Sequence, residues 1–189
     1  LFGKSKKCIS NIDNKVNKLQ AEDTHSALII FEKKNLSCTV NMSTSFRPKD
    51  HNIEIALSNK NGFADLYFFH NRAAKNTISK SRGKGAKSIK RIKIDTLDNV
   101  IINSNLKIRN IDFLSIDVEG NELNVLKGLD FRKYRPKIIS IEFIRPNIKE
   151  FYQNDIKDII KSDIYKFMIK KKYKLVNWIH DDLVYVPNK

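Results

Sequence analysis

The chain has 189 residues, 41% of them hydrophobic, and a formal net charge of +15. That is enough apolar material for one domain, residues 1–189, with a substantial core, and it excludes a disordered chain. No apolar run is long enough to cross a bilayer, and the first residues, LFGKSKKC, are charged too early for an intact signal peptide.

The charge excess is mostly Lys and is spread widely, as solvated surface Lys would be. One part is concentrated. Between Arg72 and Lys93 there are nine basic residues and no acid, with Gly83 and Gly85 inside, which reads as a mobile basic loop. Cys8 and Cys38 have neither a disulfide framework nor a metal-ligand spacing, so they read as free thiols in a reducing, cytoplasmic compartment. The chain begins with Leu rather than Met, which reads as a fragment or a processed chain.

In chain order, Leu1 to Asp13 suits the tail of a helix. Val16, Leu19 and Ala21 lead into a weak strand that ends at Glu22 and Asp23. Thr24 or Ser26 can cap a following helix with Ala27, Leu28, Ile30 and Phe31 on its apolar side. Residues 36–45 read as loop with a short strand, and Phe46 to Asp50 as an extended turn around Pro48. Ile53, Ile55 and Leu57 alternate with polar or small neighbours, a strand pattern. Ser58 to Gly62 is a turn by composition, and Phe63 to His70 returns as a strand, so 53–70 reads as a hairpin-like pair. Ile89, Ile92 and Ile94 give another short strand, after which Asp95 or Thr96 caps a helix through Leu97, Val100 and Ile101.

The most informative stretch runs from Ile111 to Glu142. Ile111 to Val118 is a nearly continuous apolar run, the pattern of a parallel strand covered on both faces, and it ends in Asp117, Glu119 and Gly120. Leu123, Leu126 and Leu129 then give a helix face closed by Gly128, and Ile138 to Phe143 is a second buried strand carrying Glu142. Ligands of open α/β sheets bind beyond the carboxyl ends of the strands, so Asp117, Glu119 and Glu142 should face one crevice. Glu122, a first-turn helix acid, reads as structural. Nothing in the acid spacing demands a metal, so none is expected. Asp155 to Lys172 reads as one amphipathic helix, and Tyr173 to Ile179 with Leu183 to Val186 as an antiparallel hairpin in which Trp178 packs on the core. His25 and His70 are lesser candidates for proton transfer. The alternation of helices and strands predicts an α/β fold with a mainly parallel sheet.

These residues resemble the FkbM family of S-adenosylmethionine-dependent methyltransferases. The resemblance rests on IDTLDNVI at 94–101, IDFLSIDVEGNELNVLKGLDF at 111–131 and RPKIISIE at 135–142. It extends less sharply to 46–69, to NTIS at 76–79 and to the closing hairpin. It implies a Rossmann-like class I sheet and methyl transfer from S-adenosylmethionine to an oxygen of a glycan, sugar nucleotide or other small acceptor. By the same resemblance Glu22 would hold the cofactor ribose and Ala56, Leu57 and Ser58 would lie by the adenine. Asp117 and Glu119 would sit at the methionine end or the acceptor, with Asp117, Glu119 and Glu142 as catalytic candidates. Such enzymes open with a strand and a glycine-rich turn, whereas this chain has only Gly3 before Gly62. The first strand is therefore expected to be absent, by truncation or, alternatively, by decay to a non-catalytic remnant. The basic 72–93 segment would hold an anionic acceptor. A nucleic-acid-binding or nucleic-acid-methylating protein is the competing reading of that segment.

Overall fold

A computed structural model describes residues 26–30, 37–39, 51–69, 75–104, 106–143 and 156–188. Seven strands form one sheet, in the order β3-β2-β1-β7-β8-β10-β9, and three form a second, in the order β4-β6-β5. In the large sheet these are β1 (Ser26–Ile30), β2 (Ser37–Thr39), β3 (His51–Asn52), β7 (Phe113–Asp117), β8 (Ile138–Glu142), β9 (Tyr173–Ile179) and β10 (Asp182–Pro187). The small sheet holds β4 (Ala56–Leu57), β5 (Gly62–Phe68) and β6 (Ser88–Asp95). Four helices are described: α1 (Leu97–Asn103), α2 (Glu122–Lys127), α3 (Ile156–Lys161) and α4 (Asp163–Lys170).

The α/β class holds, but the mainly parallel sheet does not. Only β2–β3 and β7–β8 pair in parallel in the large sheet; β1–β2, β1–β7, β8–β10 and β10–β9 are antiparallel. The parallel part is the β7–α2–β8 unit. It forms because two apolar runs flank a helix too short to do anything but cross over. Leu114, Ile116, Ile139 and Ile141 are buried to 1% exposure or less. Each contributes roughly 1.5–3 kcal/mol of burial. Leu126 and Val125 of α2 cover them, with Leu97, Val100 and Ile101 of α1 in the same core. The opposite face is less closed than the apolar run suggested: Phe113 and Ser115 are half-buried, and Ser115 registers opposite Ser140.

Three elements depart from the sequence reading. Residues 26–30 are a strand rather than a capped helix. Ser-Ala-Leu-Ile-Ile is a short apolar run that suits either form, and pairing with β7 from Ser26↔Asp117 to Ile30↔Phe113 satisfies the backbone of the flank of β7. The hairpin-like pair at 53–70 is also replaced. The chain turns at 59–61, but β6 inserts between the two strands, parallel to β4 and antiparallel to β5 over seven residues. The helix expected over 155–172 is two helices. Ser162 donates to the Ile159 carbonyl at 2.6 Å and caps α4 by accepting from the Tyr165 amide at 3.1 Å, so its hydroxyl ends one helix and starts the next.

Other readings stand. Thr96 caps α1, accepting from the Asn99 amide at 3.2 Å, and Asp95 supports the cap from both Thr96 and Asn99. The β9–β10 hairpin forms, and Trp178 packs against the core. Phe131 stacks edge-on against Phe167 and Tyr173 at 5.8 and 5.6 Å, tying the end of α2 to α4 and β9.

Gly128 closes α2 as expected, but for a different reason. Its φ is −83°, open to any residue, whereas a β-carbon there would lie 2.3 Å from the Ser58 carbonyl oxygen. Backbone meets backbone, and neither side can yield cheaply. Gly128→Ala is expected to cost roughly 1–3 kcal/mol. A chemical-denaturation midpoint equal to that of the native chain would show that the contact relaxes freely.

Candidate active site

The carboxyl ends of β7 and β8 place Asp117 and Glu142 side by side. The turn after β7 brings Glu119 back over them. One carboxylate oxygen from each of Asp117, Glu119 and Glu142 lies within 4.8 Å of the others. The three acids therefore converge at the strand ends, although of the three only Glu119 lines the neighbouring cavity. Asp182, paired with Glu142 across β10, adds a fourth charge that raises the pKa of Asp117.

Three carboxylates this close cannot all ionise freely. Burial raises the Glu142 carboxyl most, with the charges of Asp117, Glu119 and Glu122 behind it, to about 8. Its Oε2 is buried with no hydrogen-bond partner among the described residues. Asp117 reaches solvent, yet the protein around its carboxyl also raises it, while interaction with Glu142 and Arg82 works the other way. Both carboxyls are thus pushed up, and the pair releases its two protons in separate steps. Glu119 is raised by burial and lowered by Arg82. Such a trio is also the oxygen donor set that a hard divalent cation takes, although the sequence spacing did not suggest one.

The turn that aims these acids is strained. Glu119 has φ +51° and Gly120 φ +98°. The left-handed geometry costs Glu119 about 1–2 kcal/mol, and the surroundings hold it there. Glu122 Oε1 accepts from the Gly120 amide at 2.7 Å and the Val118 amide at 3.3 Å. This is the structural role read for Glu122, which is 4% exposed. Asn121 Nδ2 donates to the Leu57 carbonyl at 2.8 Å, joining the turn to β4.

The basic stretch is not loop throughout: Ser88–Asp95 is β6, and described residues before it are tied by hydrogen bonds. Thr77 exchanges backbone hydrogen bonds with Tyr67 of β5, and Asn76 Oδ1 accepts from the Phe69 amide. Gly83 lies flat against the Tyr67 ring, where a β-carbon would be 2.3 Å from Cγ. Thr77 Oγ1 donates to the Glu119 carbonyl at 2.7 Å, and Arg82 Nη1 donates to Glu119 Oε2 at 2.9 Å. The Arg82 stem passes over Gly120, whose missing β-carbon would be 2.6 Å from Arg82 Cδ. Arg82 thus joins the acids, whereas the sequence suggested it only as part of a basic segment for an anionic acceptor, and Thr77 was not singled out by itself. The NTIS resemblance at 76–79 was the available signal.

A cavity of about 1080 Å³ opens beside the turn. Glu119, Gly120, Leu123 and Phe143 form one side, Phe69, Lys75, Arg82 and Lys84 another, and Lys161, Ser162 and Ile164 the rim. Ala56, Leu57 and Ser58 do not line it. Leu57 and Ser58 are 3% and 5% exposed and sit between Asn121 and Gly128 at the two ends of α2. Glu22, His25 and His70 lie outside the described residues.

No helix among the described residues is long and apolar enough to cross a membrane. A family model described as the methyltransferase FkbM domain matches residues 8–174. No curated protein and no solved structure matches the chain.

Proposed function

The chain belongs to the FkbM methyltransferase family, and from that premise we propose that it transfers the methyl group of S-adenosylmethionine to a hydroxyl of an acceptor held in the cavity beside Asp117. The observation that carries this reading is the meeting of Asp117, Glu119 and Glu142 within 4.8 Å at the carboxyl ends of two adjacent parallel strands. The β7–α2–β8 unit supports a Rossmann-like arrangement for the cofactor half of the site.

The residues present fit the cofactor. A ring of carboxylates favours a cation, and the bound cofactor supplies a methyl group on a positively charged sulfur. The cavity is large enough for a nucleoside conjugate with an acceptor beside it. Leu123, Phe69 and Phe143 offer apolar surface for rings, and the family resemblance adds Glu22 for the ribose, whereas Leu57 and Ser58 are buried against α2 and do not offer the adenine a surface.

Asp117 does the proton chemistry. When bound, the cofactor would supply the methyl group and its sulfur would take up the leaving electron pair. Asp117 would accept the proton of the acceptor hydroxyl. Glu142 stands beside it as the second carboxyl of the pair. Glu119 lines the cavity and positions the acceptor. Holding the acceptor oxygen in line with the methyl group supplies much of the rate.

The acceptor is proposed to be a small molecule or glycan, and Lys75 and Lys84, which line the cavity with Arg82, suit an anionic one. The chain is proposed to act in the cytoplasm. Isothermal titration of the full chain with S-adenosylmethionine tests the cofactor assignment. Saturable heat with a one-to-one midpoint is expected, and heat indistinguishable from buffer dilution would remove it.

A further inference from the structure

The acid cluster has one cation built against it. Arg82 is the nearest positive charge acting on Asp117, Glu119, Glu122 and Glu142 alike. It reaches them from a segment 37 residues away in sequence from Glu119.

How that segment is held shows why Arg82 arrives in one place. Thr77 is 1% exposed and bonded through its backbone in both directions to Tyr67. Its hydroxyl accepts from the Ser79 amide at 2.9 Å while donating to the Glu119 carbonyl. The amides of Arg82 and Gly83 both donate to the Ser79 carbonyl, closing a turn that faces Arg82 toward Gly120. Gly83 then seals the turn against the Tyr67 ring. The strap from 76 to 83 therefore grips Glu119 twice, at its backbone through Thr77 and at its carboxylate through Arg82. Both grips act on the residue whose backbone is left-handed and would otherwise relax.

We propose that Arg82 is a positioning residue for the Asp117–Glu142 pair: anchored by the 76–83 strap, its guanidinium fixes the Glu119 carboxylate beside the pair and places one positive charge against the cluster. This rests on the methyltransferase reading of the site, and it adds a residue from outside the acid motif. An Arg suits the place better than a Lys because its planar fork holds a direction as well as a charge. The other charges near the cluster are Asp182 from β10 and, around the cavity, Lys75 and Lys84 on either side of the strap and Asp158, Lys161 and Asp163 from α3 and α4. Among the described residues Arg82 is the cation bonded to the three acids, through Glu119.

The test is carboxyl-carbon NMR titration of the full chain with side-chain-labelled Asp and Glu. In Arg82→Gln the Glu119 and Glu142 midpoints are expected to rise by about one pH unit, the effect of losing an opposite charge at this range. Arg82→Lys should recover part of the shift, because it returns the charge without the fork. Should Arg82→Gln fail to fold, Arg82→Lys and Thr77→Val carry the test, with a smaller rise confined to Glu119 and its pair. Midpoints unchanged in a folded Arg82 variant overturn the proposal. The cofactor titration separates the two readings. Cofactor heat with unmoved midpoints overturns only the role of Arg82. Absent heat with shifted midpoints overturns the methyltransferase assignment and leaves Arg82 an electrostatic partner of the cluster without a transfer to support.

Discussion

Asp117→Asn is expected to lower methyl transfer by about 10²- to 10⁴-fold, the range that a positioned general base supplies, with a much smaller weakening of S-adenosylmethionine binding from the loss of one negative charge among several. Transfer of tritiated methyl from the cofactor into a fractionated pool of small molecules and glycans provides the measurement. The asymmetry follows from what the substitution removes. An amide has the shape of the carboxyl and keeps an acceptor oxygen, so the walls of the cavity stay in place. It cannot take a proton. It also removes the negative charge that raises Glu142, so the Glu142 carboxyl becomes easier to ionise. Glu142 then becomes the group able to serve as base, one strand to the side, and the residual rate should acquire the pH dependence of a single carboxylate instead of a pair. An Asp117→Asn chain that transfers methyl at the native rate would move the proton chemistry elsewhere.

The second large effect concerns stability and pH. The Glu142 carboxyl, at about 8 in the folded chain against an ordinary 4.5, keeps a proton that the unfolded chain has already released. Its contribution is complete below the unfolded value and is lost as pH rises through about 8. Asp117, Glu119 and Glu122 are raised as well and act in the same direction. The native chain should therefore lose stability between pH 5 and 8 relative to Glu142→Gln, which has nothing to ionise at that position. The half-shielded carboxyl makes the difference on the order of 2 kcal/mol at pH 8. In a chain of this size that is about 4–8 °C in Tm. Paired melts of the two chains at pH 5, 6.5 and 8 decide it. Parallel curves would place Glu142 in an ordinary, solvated setting.

Much of the site was legible because it depends on local pattern. Two apolar runs, three leucines at helical spacing and an acid at each strand end are enough to put Asp117 and Glu142 on neighbouring strand tips. The cap at Thr96, the closing hairpin and the structural place of Glu122 were readable for the same reason. What failed was decided at a distance. Ser26 to Ile30 carries no mark of strand over helix until β7 lies beside it. The strand inserted between β4 and β5 comes from after the basic segment, so no reading of 53–70 alone could place it. Arg82 and Thr77 belong to the site through contacts 37 and 42 residues away, and in the sequence Arg82 is one of nine basic residues. A charge run looks solvated until one member is seen paired.

The close passage of Arg82 over Gly120 bears on how the sequence can drift. A side chain at position 120 would meet both a left-handed backbone and the stem of Arg82, and it would push aside the stem that carries the guanidinium to Glu119. A substitution at Gly120 therefore disturbs the cation of the acid cluster without touching an acid.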